Sequence, residues 1–265
     1  MEVVVIKLFL TGDTHGDDFH RLNSENFPKG KLLNKEDYVV VLGDFGCPWN
    51  NFINNDVNTI SMEDKWILET FYNKKPWTTL FIPGNHENYN NLNCYPEVTL
   101  EPICINSGPK VRKLNDSVYM LQNGFYQFGN KLVYCFGGAT SIDKKHRIED
   151  ISWWKQEVPT HEEFEMYFTQ FINSGMIPNY IFSHTTSSIA TETAISQLGS
   201  LGYDIQSKIN DPVVKYLDNI LEYIKKHDTK NEYLANFCGH FHLEKVYRAY
   251  KTYILYRNVI ELNLD

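Results

Sequence analysis

Short apolar runs that stop abruptly in glycine and polar residues set the rhythm of this chain. Residues 3–10 run into Gly12-Asp13-Thr14-His15-Gly16, and residues 38–42 into Gly43-Asp44-Phe45-Gly46. Residues 80–82 end in Pro83-Gly84-Asn85-His86-Glu87, residues 180–182 in Ser183-His184, and residues 234–238 in Gly239-His240-Phe241-His242. Apolar runs of this length, bounded by turn residues, predict buried strands. Helical spacing fills the gaps. Residues 62–72 carry Trp66, Ile67, Phe71 and Tyr72 ahead of the breaker Pro76. Residues 161–172 put Phe164, Tyr167, Phe168 and Phe171 on one face behind Thr160, a capping residue. Residues 213–226 follow Asp211-Pro212, a cap and first-turn proline, with Val214, Leu217, Leu221 and Ile224 in register. Strands alternating with helices predict a largely parallel α/β core. Residues 118–136 and 245–260 break that rhythm. They alternate aromatic and polar positions around turns such as Gly129-Asn130 and predict antiparallel hairpins. The expected architecture is a pair of mixed sheets flanked by helices. No repeat or Pro/Gly/Ser-rich linker divides the chain, so residues 1–265 read as one domain.

Composition narrows the function classes. A hydrophobic fraction of 42% and an aromatic fraction of 14% describe a globular chain. A formal net charge of -8 argues against long nucleic acids as partners, leaving only a local basic groove. The five cysteines form no CxxC pair and are odd in number, so neither a zinc knuckle nor a disulfide framework is expected. The first residues lack the basic flank and cleavage site of a signal peptide. Their apolar stretch is shorter than the roughly 20 residues that span a bilayer. A soluble, reduced, cytoplasmic protein is the expectation, with no membrane partner.

The strand ends carry the chemistry. In open α/β sheets, ligands bind beyond the carboxyl ends of the strands. Here five such ends bear Asp-x-His, Asp, Asn-His, His and His-x-His. One Asp or His after a strand is usually a cap or a satisfied turn residue. Five together are not so explained, and five of the nine histidines (His15, His86, His184, His240, His242) fall in these loops. The other four, His20, His146, His161 and His227, sit in polar surroundings and read as surface residues. Imidazole, carboxylate and amide oxygen suit manganese, iron or zinc. Seven candidate ligands exceed what one ion needs if open positions remain for water and substrate. They suit two ions about 3.5–4 Å apart sharing a carboxylate, a pair that generates hydroxide at neutral pH and stabilises entering and leaving oxygens at phosphorus. Phosphate esters are the substrate class that most needs such a pair. The dense His-x-His-x-Asp-His of metallo-β-lactamase-like enzymes and the HExxH of zincins are both absent.

Taken in order, Asp13-Thr14-His15-Gly16, Gly43-Asp44, Gly84-Asn85-His86-Glu87, His184 and Gly239-His240-Phe241-His242 resemble the motifs of the calcineurin-like metallophosphoesterase superfamily. The resemblance implies a four-layer α/β/β/α sandwich, two mixed β-sheets flanked by helices. It implies that Asp13, His15 and His242 hold one divalent ion, Asn85, His184 and His240 a second, and that Asp44 bridges them. Manganese is the expected metal. It further implies that His86 acts on the substrate, as an acid for the leaving group or as a donor to phosphoryl oxygens. Glu87 is expected to orient the His86 imidazole. The chain departs from the protein Ser/Thr phosphatases of this superfamily, which follow the bridging aspartate with Val-Asp-Arg-Gly; here Phe45-Gly46-Cys47-Pro48-Trp49 follows Asp44. Phosphoprotein specificity is therefore not expected.

Residues 136–154 form a second candidate region, with Gly137-Gly138 followed by Asp143, Lys144, Lys145, Arg147 and the pair Trp153-Trp154. Arg147 is expected to grip phosphate and Asp143 to orient a neighbour. Residues 185–210 are polar and follow His184 directly; they are expected to form a rim or lid, with Ile189, Ile195, Leu198 and Leu201 giving some packing. The sequence thus predicts a metal-dependent phosphoesterase acting on a small phosphate ester or nucleotide-like substrate. Two alternatives stand beside it: a phosphodiesterase or nuclease for short nucleic acid or a cyclic nucleotide, and a binding module that uses the metal edge as a partner surface.

Overall fold

The computed structural model of the chain describes residues 6–106, 108–198 and 208–264. Two mixed sheets face each other. At the centre of the first, β1 (Leu8–Thr11), β2 (Tyr38–Leu42), β3 (Thr78–Ile82) and β6 (Val118–Leu121) run parallel. β13 (Ile260–Leu262) closes one side antiparallel, and β5 (Val111–Lys113) and β4 (Glu97–Val98) extend the other. In the second sheet β8 (Lys131–Phe136), β9 (Tyr180–Ser183), β10 (Ala235–Cys238) and β12 (Thr252–Ile254) run parallel. β7 (Gly124–Phe128) and β11 (Lys245–Tyr247) flank them antiparallel.

Strand alternation explains the layers. Successive side chains point to opposite faces of a sheet. Leu8, Leu10, Val40, Leu42, Leu80 and Ile82 meet Val133, Cys135, Phe182 and Phe237 of the opposite sheet in one buried core. Their neighbours Phe9, Val39, Val41 and Phe81 turn outward onto Ile67, Leu68 and Tyr72. Those three lie in a helical segment that opens as an α-turn, Met62–Lys65, and continues as the π-helix Trp66–Tyr72. On the far side Tyr134, Phe136 and Ile181 turn outward onto Phe171 of the helix His161–Ser174 and onto Val213, Tyr216, Leu217 and Ile220 of the helix Pro212–His227. Central strands are covered on both faces, which is why they read as mostly apolar runs, with buried exceptions such as Thr79 and Asn236. Truncating one such residue, for instance the fully buried Phe81, would cost about 3–5 kcal/mol. The expected four-layer α/β/β/α arrangement is the observed one.

Both long helices start as predicted. Thr160 and Glu163 form a reciprocal capping box, and the Asp211 carboxylate accepts the Val213 N–H ahead of the first turn, which opens with Pro212. The hairpin expected over residues 118–136 is corrected in part. Only β7 and β8 pair about Gly129-Asn130, while β6 joins the first sheet parallel to β3. Alternation reveals a strand but not its partner, and the entirely buried Val118–Leu121 fits a central parallel position. After His184, Thr185, Thr186 and Ser187 are buried, and Ser188–Leu198 is a helix whose Ile195 packs on Cys238, Phe241 and Ile254. The remainder of the expected lid, residues 199–207 with Leu201, lies outside the described residues. Among the described residues no helix is long and apolar enough to cross a membrane.

Candidate metal centre

Parallel strands end at the same edge, and the two sheets bring six such ends together. β1, β2 and β3 deliver Asp13, His15, Asp44, Asn85 and His86; β9 and β10 deliver His184, His240 and His242; β8 leads to Ser141. The four other histidines, His20, His146, His161 and His227, are all exposed.

Two clusters form at this edge. In one, His242 Nε2 lies 3.2 Å from Asp13 Oδ2 and 3.0 Å from His15 Nε2. In the other, three groups surround His184 Nε2: Asn85 Oδ1 at 3.0 Å, His240 Nδ1 at 3.2 Å and Asp44 Oδ1 at 3.3 Å. Asp44 belongs to both, because its Oδ2 lies 3.8 Å from His15 Nε2. The ligand-type atoms of Asp13, His15 and His242, and those of Asp13, Asp44 and His184, lie within 4.8 Å of one another. Imidazole nitrogens and carboxylate oxygens converging at such distances, with Asp13 and Asp44 buried, form a donor set that fits divalent cations.

The backbone holds these side chains in place at a conformational cost. His15, Asp44, His240 and His242 all have positive φ, at 49°, 47°, 69° and 51°. Non-glycine residues rarely adopt this region, and it concentrates where function demands it. Asp44 O accepts the N–H groups of Thr14 and His15, Asp44 Oδ1 accepts the His86 N–H at 2.7 Å, and both Asp13 oxygens accept the His240 N–H at 3.0 Å. Two motif glycines are required by close approach. A Cβ on Gly84 would overlap the Asp44 carboxylate, and one on Gly239 would overlap that of Asp13. His184 donates through Nδ1 to Leu42 O at 3.0 Å, which leaves Nε2 facing the cluster.

Charge is concentrated here. Burial favours the neutral form of Asp44, but the charge and hydrogen bond of His184 outweigh it and hold this carboxyl well below the usual range. Burial likewise opposes protonation of His184, and the attraction of Asp44 reverses the balance to about 9. A divalent cation would compete with that proton for the same carboxylate, so metal uptake at this edge releases protons. His86 behaves oppositely. Burial, reinforced by the Arg147 charge against the pull of Asp44, pushes it to about 4.

The second candidate region folds over this edge. Arg147 Nε donates to Asp143 Oδ2 at 2.8 Å and Nη1 to Ser152 O at 2.9 Å, while Nη2 approaches the His86 ring. Trp154 is buried and meets Trp49 edge-to-face at 5.1 Å, pinning the loop. Glu87 corrects the expectation that it orients His86. Its carboxylate points the other way and accepts the Phe45 and Gly46 N–H groups at 2.7 and 3.1 Å, because adjacent side chains on an extended turn diverge. Its role is to shape the loop that carries Asp44.

Sequence reasoning missed three buried residues. Lys208 reaches His240 Nε2 at 3.1 Å and Thr140 O at 3.2 Å. Ser141 and Glu157 connect to Asn85 by hydrogen bonds. Ser141 follows a strand end, the one available signal; Lys208 and Glu157 sit in polar segments that offer none.

A sequence model of the calcineurin-like phosphoesterase family matches residues 6–248. The chain belongs to that family. The metal-dependent phosphoesterase class implied by the motifs is the class of this family. Comparison with curated proteins gives no match. Among solved structures the chain is similar to a provisionally described 5'-nucleotidase from Staphylococcus aureus in complex with alpha-ketoglutarate. Identity is 14% and the TM-score 0.46, over 98% of this chain and 51% of that one. The chain thus spans about half the length of that relative, and a likeness of this size adds nothing to the family assignment.

Proposed function

We propose that the chain hydrolyses small or nucleotide-like phosphate esters at a centre of two divalent ions, manganese foremost, with iron and zinc as alternatives. Asp13, His15 and His242 would hold one ion, Asn85, His184 and His240 the other, and Asp44 would serve both. The observation that carries this reading is the carboxylate of Asp44, whose two oxygens face different imidazoles. When bound, two such ions lower the pKa of water and offset negative charge on a phosphoryl group. The chain's own residues then decide what is bound and how it leaves. Arg147, aligned by Asp143, presents a guanidinium to phosphate oxygens, for which its planar fork is suited. His86, neutral near pH 7, offers a ring N–H to a phosphoryl or departing oxygen.

Two cavities meet at His86. One, of about 320 Å³, is lined by Asp44, Asp143 and Lys208 with an apolar wall of Ile142, Ile195 and Phe241. The other, of about 310 Å³, is lined by His15, Asp17, Trp49, Asn50 and Glu63. Room on both sides of one histidine favours a second reading, hydrolysis of a diester with a group in each cavity. Asp17 and Glu63 would repel a run of phosphates, which disfavours long nucleic acids.

The test compares an aryl phosphate with a bis-aryl phosphate diester, with manganese added and then chelated. Manganese-dependent release from the first alone supports a monoesterase, and from the second a diesterase. No manganese-dependent release from either would sink the reading.

A further inference from the structure

We infer that Ser141 and Glu157 are positioning residues that fix which end of the Asn85 side-chain amide faces the candidate metal centre. This deepens the two-ion reading and rests on it. An asparagine amide is nearly symmetric in shape, with an acceptor oxygen at one end and an NH₂ donor at the other. Facing a cation with its oxygen it is a ligand; rotated by half a turn it presents two N–H dipoles and repels the ion. Something must therefore select the rotamer.

The selecting device is a buried relay. Asn85 Nδ2 donates to Ser141 Oγ at 3.0 Å, and Ser141 Oγ donates to Glu157 Oε2 at 2.6 Å. Glu157 Oε1 takes the Ser141 backbone N–H at 2.9 Å, so both carboxylate oxygens are engaged by one residue. Asn85, Ser141 and Glu157 are 4%, 2% and 1% exposed, so water does not substitute for any of these partners. Burial raises the Glu157 pKa, opposed by the Ser141 hydroxyl and N–H, both of which donate to its ionised form; ionised, the carboxylate only accepts. It therefore requires the single Ser141 hydroxyl proton, which leaves Ser141 Oγ as an acceptor toward Asn85. Only the NH₂ end of the amide can satisfy that acceptor, and Oδ1 is left 3.0 Å from His184 Nε2. The polarity of the chain thus runs from the charge on Glu157 to the orientation of Asn85. Partners of this kind, behind a metal ligand, typically change metal affinity by about 10–100-fold when removed.

The test is a cycle read by calorimetric titration of the full chain with manganese at mildly alkaline pH. Ser141→Ala and Glu157→Gln should each weaken binding of one ion by about 10–100-fold, while Ser141→Thr, which keeps the hydroxyl, should retain most of the affinity. In the Asn85→Asp background both side-chain oxygens are acceptors and no orientation needs selecting, so Ser141→Ala should there lose its effect. Equal losses from Ser141→Ala in both backgrounds would make the relay merely structural and overturn the inference, as would no loss in either. If Asn85→Ala itself leaves manganese binding untouched, the two-ion reading is what fails. If Asn85→Ala weakens binding and Ser141→Ala does not, the relay alone is refuted.

Discussion

Arg147 Nη2 stands 3.1 Å from Nδ1 and 3.2 Å from Nε2 of His86, across 61 residues of sequence. Near-equal distances to both ring nitrogens mean that the guanidinium is not in line with one lone pair. Its effect on the ring is that of a neighbouring charge, which helps keep the imidazole unprotonated. Asp143 and Ser152 hold the other guanidinium nitrogens, so Nη2 is the end left toward the candidate site. Arg147 lies in the segment after β8, so this guanidinium reaches His86 from the second sheet.

Arg147→Ala should raise KM for a phosphate ester with a smaller change in kcat, because ground-state binding is what a guanidinium on phosphate supplies. A charge-assisted hydrogen bond contributes about 1.5–3 kcal/mol, so the rise should be roughly 10–100-fold. Steady-state kinetics unchanged on both a monoester and a diester would leave the loop with a surface role.

His86→Ala should keep its metal content, since Asn85 rather than its neighbour is the proposed ligand. Turnover should fall by roughly 10–100-fold on alkyl or nucleoside esters, whose departing oxygen carries the most charge and gains the most from the ring N–H of neutral His86. On a nitrophenyl ester, which leaves near neutral pH, the loss should be much smaller. Equal losses on both would assign His86 to the phosphoryl oxygens instead.

Gly84→Ala should abolish activity while leaving most of the fold intact. Its Cβ would overlap the Asp44 carboxylate and displace a group whose two oxygens face both clusters. Circular dichroism close to that of the parent, together with lost manganese binding by titration, is the expected pair of results. Full binding in a folded variant would show that Asp44 is not held as described.

Lys75 predicts a pH dependence of stability. Its ammonium donates to Leu22 O at 3.0 Å and lies 3.5 Å above the Phe71 ring, and burial lowers its pKa from 10.5 to about 8. The unfolded chain therefore holds this proton more tightly than the folded one, and stability from this group rises with pH between about 8 and 10.5. Lys75→Met removes that term. In urea titrations the variant should gain on the parent as pH falls through this window, and a constant difference between the two would contradict the shift.

Local pattern alone carried much of this. Largely apolar runs ending in Gly-Asp, Gly-Asn-His and Gly-His-x-His marked central strands and the motifs at their ends, because a strand buried on both faces is mostly apolar and hydrogen-bonds its few polar side chains, such as Thr79 and Asn236. The caps at Thr160 and Asp211 were equally legible, since they act within one helical turn. Strand partners were not legible: β6 looks like the start of a hairpin until the parallel pairing with β3 is seen.

At the site, residue identity alone tells which side chains are chemically able to bind metal, because imidazole, carboxylate and amide are properties of single residues. It could not determine direction. Glu87 and His86 are neighbours in the chain, yet one supports the Asp44 loop and the other lines the cavities. Ser141, Glu157 and Lys208 reach the site from segments without a motif. These contacts come from the packed fold, because a hydrogen bond depends on where two atoms meet after distant strands have packed, and spacing along a chain holds no record of that.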